Sequence, residues 1–160
     1  MKVVVGQTRR MGKGLFAAEK LRRGETIFVA RGPLVRRNSR TRFRVGARWL
    51  AIGKDSWIAP PQSNLWWFIN HSCRPNAGIR GRVIVVALHQ IRPGEEVTID
   101  YGITEADPFY RLGVWCRCKS KECRKFIGGI QTLPRNAFVR YLPFVPKFIQ
   151  AEWKRRVSVT

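Results

Sequence analysis

Two stretches decide how this chain folds: Phe68-Ile69-Asn70-His71-Ser72-Cys73-Arg74-Pro75-Asn76 and Gly94-Glu95-Glu96-Val97-Thr98-Ile99-Asp100-Tyr101-Gly102. Arg92-Pro93-Gly94 is a turn signal. It separates two predicted strands, Val83 to Leu88 and Glu96 to Tyr101. In the first stretch a short helical turn, Leu65 to Ile69, leads into Asn70 to Cys73, side chains that carry donor, acceptor or metal-binding atoms. Asn70-His71-Ser72 also spells a glycosylation sequon. With no secretory signal visible in the chain, that match is read as coincidence.

Further out the pattern repeats. Lys2–Val5 and Thr26–Ala30 are rich in β-branched residues and bounded by Gly6, Gly24 and Gly32. Arg48–Ile52 and Ser56–Ala59 read as a hairpin across Gly53-Lys54-Asp55, ended by Pro60-Pro61. One convincing helix is expected, near the C-terminal end, where Pro146 suits a first turn and Ile149 and Trp153 share a face. The expected architecture is mostly β, with many short strands, tight turns and a small C-terminal appendage.

The chain has 160 residues, about one domain. An apolar share of 44%, with six Trp and nine Phe, suffices for a core and argues against a disordered tail. The longest apolar run is Val83 to Leu88, far short of the ~20 residues of a spanning helix. Met1-Lys2, three valines and Gly6 fall short of a secretory signal's apolar stretch. The expected location is intracellular: cytoplasm, or nucleus and chromatin in a eukaryotic setting. Thirty-one Lys and Arg against ten Asp and Glu give a net charge of +21 and a pI near 11.4. Such a surface suits a polyanion, DNA or RNA above all. Seven arginines and no acid lie between Arg31 and Arg48. Five of the ten acids gather in one island, Glu95, Glu96, Asp100, Glu105 and Asp107. A basic body with one acidic island suits a protein that sits on nucleic acid and takes a cationic substrate; the bland alternative is solvated surface charge.

There are four cysteines, Cys73, Cys116, Cys118 and Cys123, the last three as C-x-C-x4-C. Four thiolates meet the needs of a closed tetrahedral zinc site. Disulfides and free thiols are the other readings, the former a poor match for an intracellular chain.

Together these blocks resemble the SET-domain lysine methyltransferases. Gly12-Lys13-Gly14-Leu15-Phe16-Ala17 is similar to that family's G-x-G-L, the two opening stretches to its F-I-N-H-S-C-x-P-N and G-E-E-L-T-x-D-Y-G, and the C-x-C-x4-C to its post-SET zinc motif. The matched order runs from about Val3 to Ile127. The resemblance implies a mostly β SET fold of several short curved sheets with knot-like threading near the active site. It divides the chain into a SET domain over 1–112, a zinc motif over 113–128 and a partly helical extension over 129–160. It implies S-adenosylmethionine and structural zinc as cofactors. Cys73 becomes the fourth zinc ligand. Tyr101 becomes the catalytic residue and a cofactor contact; Asn70 and His71 hold the cofactor, and the backbone of Gly12, Lys13, Gly14 and Leu15 lies against its methionine end. A basic protein, such as a histone, another chromatin-like protein or a ribosomal protein, becomes the substrate, drawn in by Glu95, Glu96, Glu105 and Asp107 and bound as an added strand. Contact between DNA and the basic remainder is a second expectation. Trp115 and Phe126 are expected to pack in the core, or one of them to cover the adenine.

Against the family pattern, Trp67 replaces a frequent Arg. Ile99 stands where an aromatic residue commonly sets the number of methyls, so that number stays open. Only Tyr110 and Tyr141 remain as a second channel tyrosine. The insert from about Phe43 to Asn64 is short. The competing readings are a catalytically weak relative that binds nucleic acid or chromatin, and a zinc-stabilised nucleic-acid module without cofactor.

Overall fold

The computed structural model describes residues 1–37, 48–107 and 109–157; Arg40, Arg42, Arg44 and the start of the expected insert lie outside them. The described residues form twelve short strands and two helices. The central strand is β10 (Glu96–Ile99). On one side it pairs antiparallel with β2 (Lys13–Ala17), Val97 opposite Leu15, and β2 pairs with β1 (Val3–Gln7). On the same side, past β2, it runs parallel to β7 (Asn70–His71), with Thr98 opposite Asn70 and Ile99 opposite His71; on its other side it runs parallel to β8 (Ala77–Arg80), with Ile99 opposite Ala77. Beyond β8 follow β9 (Ile84–Ala87) and β3 (Thr26–Val29). A second sheet orders β4 (Leu34–Arg36), β6 (Ser56–Ile58) and β5 (Leu50–Gly53), and a two-stranded ribbon joins β11 (Arg111–Trp115) to β12 (Phe126–Gly128).

Between β7 and β8 the chain leaves the sheet at Ser72 to Pro75, and Pro75 has no N–H to give. Asn76 fills the gap with its side chain: Thr98 N donates to its Oδ1 at 2.8 Å, and its Nδ2 donates to the Glu96 carbonyl at 2.8 Å. The sheet thus holds together beside the Asn70–Cys73 corner.

The core centres on fully buried Leu15, Leu21, Ile79, Val85, Ile91, Val97 and Ile99. Each such side chain contributes about 1.5–3 kcal/mol on burial. Two helices cover one side, α1 (Arg135–Tyr141) and α2 (Lys147–Val157). The expected Ile149–Trp153 face of α2 is real: Ile149 is buried and Trp153 stacks on Phe138 of α1, ring centroids 4.1 Å apart. Helix α1 escaped the sequence reading because it has two turns and no capping side chain; Pro134 stands at its N-cap. The linker between the helices joins the sheet, Ile79 N donating to the Phe144 carbonyl at 2.8 Å. Gly78 permits this approach, since a Cβ there would lie 2.7 Å from that oxygen.

Strand β10 ends at Ile99, earlier than the sequence reading expected. Asp100 accepts from Gly102 N at 2.9 Å, capping a 3-10 turn over Tyr101–Ile103, so Tyr101 leaves the sheet.

Candidate active site and metal centre

That departure puts Tyr101 in a narrow, half-buried pocket, the candidate substrate channel, with Arg48, Trp49, Trp66, Ile69, Thr104 and Tyr110. Its hydroxyl donates to the Ile69 carbonyl at 2.8 Å and accepts from Arg48 Nη1 at 3.0 Å. Arg48 also reaches the Ile69 carbonyl, at 3.4 Å. Burial raises the Tyr101 pKa against the pull of Arg48, so the phenol stays protonated. Tyr110 is pushed up to about 12, mainly by burial, and also stays neutral. With Arg48 in place the free space is about 10 Å³, room for one water.

On the other face of the Ile69–His71 segment lies a wider cleft of about 290 Å³. Asn70, His71, Glu96 and Thr98 wall it, with the Thr8–Met11 loop on one rim and Arg117–Lys119 on the other. Asn70 Nδ2 donates to Glu96 Oε1 at 2.8 Å and to the Lys13 carbonyl at 3.1 Å. Gly14 packs beneath: a Cβ there would lie 2.7 Å from Glu96 Oε1 and 2.6 Å from Thr8 Cγ2. Gly12 adopts φ +71°, which reverses the loop. The Leu15 side chain is in the core, so only its backbone is available to a ligand.

His71 lines the wide cleft and packs against Tyr101. Its ring lies 5.3 Å from that of Tyr101, and its Nδ1 accepts from Tyr101 N at 3.2 Å. Burial pushes the imidazole pKa down to about 4, so the ring is neutral. With Nδ1 accepting, the proton sits on Nε2, 3.4 Å from Cys73 Sγ.

The four cysteine sulfurs lie within 4.8 Å of one another. Cys73 and Cys116 sulfurs are 3.8 Å apart. That is too far for a disulfide of ~2.05 Å. It matches the roughly 3.8 Å edge of a tetrahedron with Zn–S bonds of ~2.3 Å. Arg124 N and Lys125 N donate to Cys73 and Cys123 sulfurs, each at 3.4 Å, which favours thiolates. The donor set fits zinc. Chelation should therefore separate the β11–β12 ribbon from the Cys73 corner. Cys118→Ser should lower bound zinc from about one per chain and lower the unfolding temperature. Metal analysis with thermal unfolding reads both; an unchanged melting curve after complete metal removal would refute a structural role.

Above the sulfurs sits a buried ion pair. Asp100, fully buried, accepts from Arg124 Nη1 and Nη2 at 2.8 and 2.7 Å and from Tyr141 Oη at 3.0 Å. One carboxylate thereby ties β10, the cysteine ribbon and α1 together, next to Tyr101 in sequence. Burial and Asp100 both raise the Tyr141 pKa. Tyr141 is thus no channel residue, and Tyr110 takes that place.

Other expectations are corrected. Glu105 is buried and accepts from Trp57 Nε1 at 2.7 Å; Asp107 pairs with Arg37 at 3.5 Å; Glu95 accepts from Arg92 N at 3.1 Å. Glu105 and Asp107 are thus committed to the core and to Arg37, while Glu95 is exposed and Glu96 lies in the wide cleft, so the four do not form one open patch. Burial raises the Glu105 pKa against the N–H donors that hold it. Trp115 is 75% and Phe126 42% exposed, so neither is core, and neither lines the wide cleft. Trp67 donates to the Pro60 carbonyl, a structural tether in place of the arginine. Sequence reasoning missed Arg48, Trp66, Arg124 and the bridging role of Asn76. Arg48 was hidden in an arginine-rich run, and the others have partners far away in sequence.

A mostly β core with a phenol-bearing channel, a cleft behind it and a four-cysteine ribbon defines a fold class. Residues 12–102, more than half the chain, match the family profile described as SET domain, and the chain belongs to the SET-domain family. It is 33% identical over 131 residues to the histone-lysine N-methyltransferase trithorax of Drosophila virilis, covering 72% of this chain and 3% of that protein. It is 32% identical over 144 residues to the H3 lysine-36 specific histone-lysine N-methyltransferase of Candida albicans, covering 80% and 17%. Among solved structures, KRYPTONITE in complex with mCHH DNA, an H3(1-15) peptide and SAH superposes with a TM-score of 0.64 at 24% identity, over 78% of this chain and 29% of that one. That likeness shows the fold. This chain spans a small fraction of the length of these relatives.

Proposed function

We propose that the chain transfers methyl groups from S-adenosylmethionine to a lysine of a basic, histone-type protein. The observation that carries this is the Tyr101 hydroxyl, set in the half-buried channel and bonded to the Ile69 carbonyl, one residue from the Asn70–His71 wall of the wide cleft. S-adenosylmethionine, when bound, supplies a methyl on a cationic sulfur, suited to capture by an amine. Asn70 and His71 would hold it, with Glu96 the one carboxylate among the residues that line the cleft; the backbone of Gly12 to Leu15 adjoins the cleft behind Asn70 and Glu96 without lining it. Names of the relatives support histone lysine as the substrate, and with it a chromatin location. Within this reading 1–112 is the SET unit, 113–128 the zinc motif and 129–160 a supporting extension.

The lysine must arrive without its proton. Neutralising an amine of pKa ~10.4 at pH 7 costs roughly 4–5 kcal/mol. A channel walled by Trp49, Trp66, Ile69 and two neutral tyrosines disfavours the ammonium and lowers that cost. The Tyr101 hydroxyl and the Ile69 carbonyl are then the polar atoms that orient the nitrogen. The test is methyl transfer to histone H3 or a basic protein mixture, read by mass spectrometry, in wild type against Tyr101→Phe. Absence of transfer by zinc-loaded wild type that binds the cofactor would leave the non-catalytic reading.

In this structure Arg48 engages both polar atoms that a substrate amine would use. A lysine entering the channel exchanges with the guanidinium. Arg48→Ala should lower the KM for peptide by about tenfold, since a charged hydrogen bond of ~1.5–3 kcal/mol no longer competes. A raised KM would show instead that Arg48 holds the channel in shape.

A further inference from the structure

Beside the zinc ribbon lies a third cleft, about 530 Å³, lined by Arg10, Arg117, Lys119 and Lys125 with Ser120 and two of the cysteines. Arg10, Arg117 and Lys119 also line the wide cleft behind the channel, so the two adjoin, and Arg9 lines the wide cleft next to Arg10. All five cations are exposed. Among the described residues none forms an ion pair with a carboxylate. Elsewhere the scarce acids pair with other cations, as in Lys2–Glu25, Arg37–Asp107 and Glu122 with Arg74 and Arg140. Lys119 and Lys125 stand at φ 57° and 69°, a region that glycine enters freely and lysine enters at a cost. The Thr8–Gly12 loop that carries Arg9 and Arg10 is braced by Thr8 N to the Gly12 carbonyl at 2.7 Å and Met11 N to Thr8 Oγ1 at 2.8 Å. The rim is therefore preformed. A zinc tetrathiolate beneath has net charge −2, which five cations exceed.

We infer that this cleft binds the phosphate backbone of duplex DNA, and that DNA bound there borders the mouth of the cofactor cleft. A single small anion would leave most of the five charges unneutralised. A lysine-rich tail is repelled by all of them. A regular row of phosphates matches them and releases counterions. Neutralising the shared rim also removes repulsion toward a cationic ligand next door. DNA should therefore tighten S-adenosylmethionine, which carries a net positive charge, more than S-adenosylhomocysteine, which carries none. This second part rests on the proposed cofactor cleft.

The test uses zinc-loaded full chain and a fluorescein-labelled 20-base-pair duplex, followed by anisotropy at several salt concentrations. Arg9→Glu/Arg10→Glu should weaken binding about tenfold or more and reduce the salt slope by about two phosphates. Arg117→Glu, with zinc content measured alongside, should weaken it as well. Lys20→Glu/Arg82→Glu makes the same change in charge at exposed sites outside the cleft and should cost less than about threefold. Equal losses in the two double variants would overturn the site, as would poly-glutamate or single-stranded RNA competing better than duplex DNA. Calorimetric titration of the two cofactor forms, with and without duplex, reads the coupling. Equal tightening of both forms would overturn the electrostatic link. DNA binding without any cofactor binding would refute the proposed cleft assignment and leave the DNA site standing.

Discussion

Asp100→Asn should destabilise the protein by about 3–5 kcal/mol, because it strands a guanidinium in the interior. The Arg124 side chain is 10% exposed and holds Asp100 through two short parallel bonds. Asparagine keeps the acceptor for Gly102 N but loses the charge and one of the two oxygens facing Arg124. For a domain of this size the loss corresponds to a drop of roughly 6–20 °C in unfolding temperature. Arg124→Met on its own should also destabilise, since it leaves the carboxylate buried without its partner. The double variant should be less destabilised than the sum of the singles, as expected for groups in direct contact. Zinc content should stay near wild type in Asp100→Asn, because no cysteine is touched. Methyl transfer should fall as well, since the uncompensated Arg124 disturbs the residue that directly precedes Tyr101. A change below about 1 kcal/mol would mean that the ion pair does not hold ribbon, sheet and helix together.

Tyr101→Phe should lower kcat by about 10²-fold or more while leaving KM and stability nearly unchanged. The ring keeps its packing against His71, and only the hydroxyl is lost. Arg48 Nη1 still reaches the Ile69 carbonyl, so no buried acceptor is orphaned and folding should change by about 1 kcal/mol or less. The amine, by contrast, loses the hydroxyl that the Ile69 carbonyl fixes in the channel. Stopped-time assays with peptide and cofactor varied separately distinguish kcat from KM. Activity within about threefold of wild type would remove Tyr101 from the chemistry and point to Ile69 O and Tyr110 as the orienting groups.

Much of the site was legible before the fold. The turn at Arg92-Pro93-Gly94, the strand after it and the cysteine spacing are local features, written in neighbouring residues. So is the identity of the Asn70–Cys73 and Asp100–Tyr101 blocks, whose order matches the family. What sequence could not supply was partnership across distance. Glu105 and Asp107 read as a lure because charge is visible in a sequence and burial is not; their partners Trp57 and Arg37 are 48 and 70 residues away. Trp115 and Phe126 read as core because they are aromatic, yet the short ribbon turns them outward. Helix α1 has no cap to announce it.

By itself the sequence determined the short-strand architecture, the four metal-binding thiols and the blocks that hold the phenol and the amide. These depend on residue type and close spacing, to which local backbone preferences respond. Only the tertiary structure decided that Arg48 enters the Tyr101 channel, that Asp100 bonds Arg124 and Tyr141, and that Arg10 meets Arg117 and Lys119 on one rim. Contacts between residues tens of positions apart exist only once the parallel pairing of β10 with β7 and β8 has closed the chain upon itself.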